Sequence, residues 1–347
     1  MEVFPEILLN RKYPENLKET DKPIFDPCIT GLARACYLIE LKNVSVNREL
    51  LIFRKNSILV ESFVWPNKLE EYQSVKQNLK FFIKNSILRK NRIVENPILW
   101  CLDNYSTGGY FHWLTEILPR LWVAQQHSIK ADFAIPDYFL ERWPFISESA
   151  KAFEVERFVI LDTKTVVKTP KLILPTQTGG PINYQPISIK GVAKTLKDYF
   201  FDPNFQIVSD KIYISREKAK HRKILNEKYF ILILIKHGFQ IVQFETLDFK
   251  TQLNIVARAT HMVGIHGAGL TNCMFQPENA KLLEIRTPER LSWLNCFYTL
   301  ANVFEVKYSY FLGEPTKEKL PLEDRPDDKS LSIDLEKFEK ELEIFLS

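Results

Sequence analysis

The chain has only eleven glycines, and three of them, at 264, 267 and 269, bracket a histidine in the stretch ATHMVGIHGAGLTNCMF (residues 259–275). These residue types at this spacing suit anion binding. Gly267 and Gly269 let the backbone turn tightly and approach a ligand without a Cβ in the way. If a helix starts there, its unbonded N–H groups and positive dipole end favour negative charge, and a diphosphate is the obvious candidate. His266 at the lip can donate to a phosphate oxygen, and Thr271 and Asn272 can do the same or cap the helix. The competing reading is a tight turn whose glycines serve geometry alone and whose histidine is an ordinary loop residue. The stretch is not a GxGxxG after a first strand, and it lacks the lysine of a P-loop. A dinucleotide oxidoreductase and a kinase are therefore poorly supported.

A second stretch, YISREKAKHRKILNE, strings Ser215, Arg216, Lys218, Lys220, His221, Arg222 and Lys223 after a strand-like KIYI. Arginine forks match phosphate oxygens bidentately, so Arg216 and Arg222 could neutralise a departing diphosphate. The alternative is a solvated basic loop. In the first half, His112 and Glu116 stand at i and i+4 on one helical face, with Asp103 on the loop before them. A carboxylate bonded to one imidazole nitrogen orients the ring and raises its basicity, leaving the other nitrogen to take a proton. Against this, His112 can be a half-buried residue in an aromatic patch with Phe111 and Trp113. The H-x-x-x-E spacing could also suggest a metal pair, but no third ligand is evident and the zincin motif is absent. Tyr105, Tyr110, Trp113 and Trp122 offer either a sugar-stacking platform or core. Arg120 reads equally as a salt-bridged residue or a second cation.

These residues need strands and helices to hold them. From Ala33 to Trp65 apolar and polar residues alternate, predicting antiparallel strands with turns at Asn43 and Asn56, a β-rich preamble. PILWCLDNY reads as a buried strand. The helical GGYFHWLTEILPRLWVAQQH follows it, kinked or segmented at Pro119, and DFAIP, RFVIL and KLILP are further strand candidates in βαβ alternation. Gly- and Pro-rich TQTGGPINYQP and the helical SIKGVAKTLKDYF mark a junction between residues 175 and 205. Beyond it, KIYISR, FQIVQF, THMVGIHG and AKLLEI alternate with NEKYFILILIKHG, DFKTQLNIVARA and GLTNCMFQ. That pattern predicts a Rossmann-like parallel sheet with both candidate anion segments at the carboxyl ends of its strands. LSIDLEKFEKELEIFLS forms an amphipathic tail helix with Leu331, Leu335, Phe338, Leu342 and Phe345 near one face. The expected division is 1–195, 196–320 and a tail 321–347.

The composition allows a sizeable core, with 45% hydrophobic residues in 347. With 47 basic and 43 acidic residues the net charge of +4 is too small to indicate a nucleic-acid footprint. Five scattered cysteines (Cys28, Cys36, Cys101, Cys273, Cys296) without CxxC spacing indicate neither a zinc site nor a disulfide framework, and fit reduced thiols. The N-terminal residues do not read as a secretion signal, and no apolar run is long enough to span a bilayer.

In that order, YFHWLTEILPRL, YISREKAKHRKILNE and GIHGAGLTNCMFQPENAKLLEI resemble glycosyltransferase family 61 over roughly residues 104–285. The resemblance implies an α/β, GT-B-like architecture of two Rossmann-like domains facing across a cleft. It also implies an inverting, metal-independent transfer from a UDP- or GDP-linked sugar, with no cofactor. The donor would lie in the C-terminal domain and the acceptor largely against the N-terminal one. By motif match, Arg216, Arg222, Asn226, Glu227, His266, Gly267, Ala268, Gly269, Leu270 and Asn272 would be donor-site residues, with Glu284 as a further candidate. The catalytic candidates are His112, Glu116 and Asp103. Without the signal anchor and cysteine-rich stem of eukaryotic members, a bacterial-type cytoplasmic enzyme is expected, with attachment at the inner face of the membrane left open. Its acceptor would be a capsule, O-antigen or other lipid-linked or soluble glycan. A non-catalytic nucleotide- or glycan-binding module is the alternative.

Overall fold

The computed structural model describes all residues except 56, 73–74, 105, 107, 156, 181, 219–221 and 317–328. The chain divides into two compact units: residues 1–7 with 34–180, and residues 8–33 with 181–347.

The first unit is built on one mixed sheet. Strand β1 (Cys36–Val46) pairs antiparallel with β2 (Ile52–Arg54), which pairs with β3 (Ser57–Ile58). The predicted turn at Asn43 is instead a left-handed residue (φ 50°) inside β1. The chain reverses at residues 47–50, where Leu50 has φ 62° and the Asn47 side chain accepts from the Leu51 amide at 3.1 Å. The other expected turn, at Asn56, lies outside the described residues. Helix α1 (Val75–Phe82) runs on through a π-turn, Ile83–Leu88, into β4 (Lys90–Ile93), and β5 (Ile98–Leu99) follows.

Further along, α2 (Tyr110–His112) and α3 (Leu118–Gln126) are joined by a second π-turn, Trp113–Ile117. Pro119, at the second position of α3, cannot donate a backbone bond, which accounts for the expected break being a π-turn and not a sharp kink. After α3 come β6 (Asp132–Pro136), helices α4 (Asp137–Arg142) and α5 (Pro144–Ala150), β7 (Phe158–Leu161) and β8 (Thr165–Pro175). The order is β7-β6-β5-β8-β1-β2-β3, parallel from β7 to β8 and antiparallel from β8 onward. Eleven residues long, β8 pairs with parallel β4 and β5 on one edge and with β1, from Val167↔Val46 to Pro175↔Leu38, on the other. The expected preamble and first α/β half are therefore one sheet, and this unit is only partly Rossmann-like.

The second unit carries α6 (Pro186–Phe200), β9 (Lys211–Ile214), α7 (Glu227–Lys236), β10 (Gln240–Val242), α8 (Phe249–Val256), β11 (His261–Ile265), β12 (Lys281–Arg286), α9 (Cys296–Val303), β13 (Lys307–Leu312) and α10 (Leu335–Leu346). All five strands are parallel in the order β10-β9-β11-β12-β13. Local chemistry sets the helix ends: Gly238 (φ 83°) closes α7, and the Asp248 carboxylate caps α8 by accepting from the Thr251 amide at 2.7 Å. One face of the sheet, with Tyr213, Val263, Ile265, Leu283, Ile285 and Phe311, packs on Phe230 and Leu234 of α7 and Phe338, Leu342 and Phe345 of α10. The tail helix docks as its apolar stripe predicts, but Leu331 reaches the same core from a short strand, Leu331–Ser332, instead of the helix.

This division differs from the expected one at both ends. Helix α6 belongs wholly to the second unit. Residues 8–33 thread into that unit because the Asn16 side chain brackets the Tyr310 backbone (2.8 and 3.1 Å) and the Arg11 guanidinium donates to the Ile182 carbonyl at 2.8 Å. All five cysteines are buried and free. Among the described residues no helix is long and apolar enough to cross a membrane.

Candidate functional site

Numbered by chain order, the second sheet runs 2-1-3-4-5, so the strand order reverses between its first strand, β9, and its third, β11. Doubly wound sheets bind ligands at that switch point, outside the carboxyl ends of the strands. Arg216 follows β9 and the His266–Gly269 turn follows β11, so both segments leave the sheet there. They meet. A Cβ built on Gly267 would stand 2.7 Å from Arg216 Nη1, and the next two atoms near it also belong to Arg216, so the guanidinium lies directly against the glycine. Gly267 is extended (φ 171°) and precedes a 3₁₀ helix, Ala268–Phe275, where a helix start was expected. The first N–H groups of that helix have no acceptor within it. Gly269 packs on Ile214, its built Cβ 3.2 Å from Cγ2, which brings the turn down onto the end of β9.

Beside the turn, Arg222, His266, Arg286 and Lys329 line one recess, three basic side chains around an imidazole, with Lys329 Nζ 3.7 Å from Glu289 Oε1. Arg222 holds a left-handed backbone (φ 55°). His266 Nδ1 contacts Glu284 Oε1 closely, and the carboxylate, with no exposed surface, also accepts from the Tyr308 hydroxyl at 2.5 Å. Arg286, equally buried, donates from Nη1 to Asn295 Oδ1 at 2.6 Å, and Asn295 in turn donates to the Ile24 carbonyl at 2.7 Å. Burial, helped by Arg222 and Arg286 and opposed by Glu284, lowers the His266 pKa. Burial alone would raise Glu284, yet His266, Arg286 and Tyr308 bring it below the usual carboxylate value. The pair is thus a neutral imidazole on a carboxylate: Nδ1–H donates to Glu284, and the ring is fixed by a buried anion.

The other motif positions divide. Glu227 opens α7 and is buried, its Oε1 accepting from Tyr213 Oη (2.7 Å) and Ser215 Oγ (2.8 Å), so it holds the end of β9 behind Arg216. The Asn226 side chain both donates to and accepts from the Ile333 backbone (2.7 and 3.0 Å), tying the tail segment to the head of α7. Leu270 is core: its Cδ2 would stand 2.8 Å from a Cβ on Gly264, which is what that glycine accommodates. Asn272 is buried and donates to the Gly269 carbonyl at 3.1 Å, stiffening the turn from behind. Ala268 and Gly269 are partly open. Lys218 is exposed, Lys223 Nζ donates to the Glu217 carbonyl at 3.0 Å, and Lys220 and His221 lie outside the described residues. The sequence reading missed Arg286, Tyr308 and Lys329. Arg286 had a signal, since in KLLEIR it falls two residues beyond Glu284 and so on the same strand face.

In the first unit His112 Nδ1 lies 2.9 Å from Glu116 Oε1, as the i, i+4 spacing predicts. Burial works against the charged ring, but Glu116 and the more distant Asp103 outweigh it and raise the His112 pKa. The two His–Glu pairs thus differ: His112 is made more basic and His266 less. Asp103 is committed elsewhere. Its Oδ2 accepts from Arg120 Nη2 at 2.5 Å, both side chains being buried, and from Gln177 Nε2 at 3.2 Å. That pair resolves Arg120 as the buried ionic partner of Asp103. Trp113 is fully buried, its Nε1 donating to Ser149 Oγ at 2.8 Å, so it is core and not a stacking platform. Tyr110 packs edge-on to Phe145, Trp122 stacks on Phe4, and Tyr105 lies outside the described residues.

The sequence profile of Glycosyltransferase 61 matches residues 110–283, half of the chain, from the His112 helix to the strand that carries Glu284. The chain belongs to glycosyltransferase family 61. Among family 61 relatives, the rice alpha-1,3-arabinosyltransferase XAT2 is 33% identical over 220 residues, covering 57% of this chain and 37% of its own length. A Drosophila melanogaster EGF domain-specific O-linked N-acetylglucosamine transferase is 36% identical over 99 residues, covering 28% of this chain and 18% of its own. A zebrafish protein O-linked-mannose beta-1,4-N-acetylglucosaminyltransferase 2 is 30% identical over 135 residues, 36% of this chain and 23% of its own length. The matches span well under half the length of each relative. These relatives are plant and animal proteins, whereas the sequence reading favoured a bacterial-type enzyme.

Proposed function

We propose that this family 61 chain is an inverting, metal-independent glycosyltransferase that moves a sugar from a nucleotide-sugar donor to a hydroxyl of a glycan acceptor. The observation that carries the reading is the meeting of Arg216 with Gly267 at the switch point of the second sheet, beside Arg222, His266 and Arg286. A cluster of fixed cations and helix-start amides is what a leaving diphosphate needs, because charge develops on it as the glycosidic bond breaks. On this reading Arg216 and the 267–269 amides hold the diphosphate, and Arg222 and Arg286 add field. Neutral His266, with its one N–H on Glu284, presents an accepting Nε2 at the lip, which suits a hydroxyl of the donor and not, as the motif suggested, a phosphate oxygen.

In the proposed step the acceptor oxygen attacks the anomeric carbon from the face opposite the diphosphate, inverting that centre, and its proton passes to His112 Nε2. The raised His112 pKa and the Glu116 contact support this assignment, since a positioned base of suitable pKa contributes about 10² to 10⁴ in rate. Asp103, paired with Arg120, is a support for that helix on this reading and not the base. With one large sheet in each unit, the proposal takes the GT-B form, donor on the second unit and acceptor on the first. It extends to a cytoplasmic enzyme of cell-surface polysaccharide synthesis.

Calorimetry with UDP, GDP and NAD, followed by a screen of nucleotide sugars for donor hydrolysis, tests the reading. Binding of one nucleoside diphosphate together with hydrolysis of its sugar ester supports it. Diphosphate binding with no turnover on any acceptor would make the chain a binding module, and NAD binding alone would overturn the site.

A further inference from the structure

Helix α1 and its π-turn carry a row of apolar side chains facing outward: Leu79, Phe82, Ile83, Ile87 and Leu88, exposed by 37–71%. Spacings of three to five residues keep them on one side, because the π-turn bonds each residue to the fifth along and winds more loosely than the α-helix before it. The inner row is fastened down. Phe81 packs edge-on to Phe53, and Asn85 accepts from Asn47 and Arg89 (both 3.0 Å). Arg89 grips both oxygens of Glu49 at 2.5 and 2.6 Å. With that inner row held, the outer row is a fixed apolar face and not a segment that has failed to pack. Contiguous exposed apolar surface of this kind marks an interaction site.

The charge around it identifies the partner. Residues 75–94, VKQNLKFFIKNSILRKNRIV, hold six basic side chains and no acidic one, in a chain whose 47 basic and 43 acidic residues nearly balance. Lys80 and Lys90 are exposed beside the apolar row, and Lys84 is partly exposed, its ammonium 2.8 Å from Glu49. We propose that this face docks the protein on an anionic lipid surface, the apolar row entering the acyl boundary and the lysines meeting the headgroups. An outward apolar stripe with flanking lysines is the arrangement that binds such surfaces. A second copy of the chain fits poorly, because a two-fold contact would set one basic segment against another. Nucleic acid fits poorly too, because the row is mainly aliphatic and offers little for base stacking.

The test is flotation of the full chain with vesicles of phosphatidylcholine alone and of phosphatidylcholine mixed with phosphatidylglycerol. The expected result is at least about tenfold stronger partition onto the anionic vesicles, weakened by salt. Lys80→Glu with Lys90→Glu should reduce that partition about thirtyfold or more, and Leu79→Ser, Ile83→Ser and Leu88→Ser together should abolish it. Calorimetric nucleoside diphosphate affinity and the melting temperature of both variants should stay at the parent values, which separates this surface from the sugar-transfer site. Equal partition onto neutral and anionic vesicles, no vesicle binding, or binding untouched by the triple substitution would overturn the proposal. So would a parent dimer that the triple variant turns into a monomer, which would give the face to a second copy.

Discussion

Gly267→Ala asks whether the glycine is there for Arg216. At φ 171° alanine is as comfortable as glycine, so no backbone strain enters. The added methyl would stand 2.7 Å from Arg216 Nη1, 3.3 Å from Cζ and 3.6 Å from Cδ, and these are its three nearest atoms. The far end of an arginine side chain yields easily, so the fold should lose less than about 0.5 kcal/mol and the melting temperature move by under about 2 °C. Ligand affinity should fall much further. Displacing a guanidinium from a phosphate forfeits a charge-assisted hydrogen bond of about 1.5–3 kcal/mol, or about 10- to 150-fold in Kd. Arg216→Ala should cost a similar factor, and the double variant should cost scarcely more than either single one, because both remove one contact. Calorimetry with the nucleoside diphosphate that the parent binds reads all three. Unchanged affinity in Gly267→Ala, or losses that add in the double variant, would refute the reasoning.

His112→Ala should abolish transfer while leaving nucleoside diphosphate affinity within about twofold; full activity would move the base elsewhere. Glu116→Gln removes the main contact that raises the His112 pKa, so the acid limb of kcat/KM should move to lower pH. A raised histidine pKa contributes stability that is complete below about 6.5 and lost as pH climbs through the folded value. The same variant should therefore be more destabilised at about pH 6 than at about pH 9 in urea titrations. Glu284→Gln removes the buried anion that accepts from His266 and Tyr308 and should cost about 1.5–3 kcal/mol in denaturant unfolding. Because the Glu284 pKa is depressed, the parent should lose that contribution only as acid brings the pH down through its folded value. Asp103→Asn should likewise destabilise by about 3–5 kcal/mol through stranded Arg120, and a stable variant with lost transfer would return Asp103 to catalysis.

Local chemistry made the second unit legible. Five apolar runs bounded by helix caps became five parallel strands, counting KYSYFL, which the sequence reading had not marked as β13. The i, i+4 spacing of His112 and Glu116 gave a contact because one helical turn sets that distance, even where the helix opens into a π-turn. Pairing across long separations was not legible. Nothing in TVVKTPKLILP says that it bridges a parallel and an antiparallel half-sheet, and nothing in residues 8–33 says that they leave the first unit. For the same reason motif positions were overread. Asn226 and Glu227 look like ligand residues in line with Arg222, but the first spends its amide on Ile333 and the second its carboxylate on Tyr213 and Ser215. Conversely, Tyr308 reaches Glu284 from β13, a strand adjacent in space but separate in sequence.

A crystal structure of the chain with a nucleoside diphosphate tests the meeting of Arg216 with the 267–269 turn most directly. The predicted result puts diphosphate oxygens within hydrogen-bond reach of the Arg216 guanidinium and the amides of residues 267–269, with His266 beside them. A diphosphate bound elsewhere, touching neither Arg216 nor that turn, would contradict it.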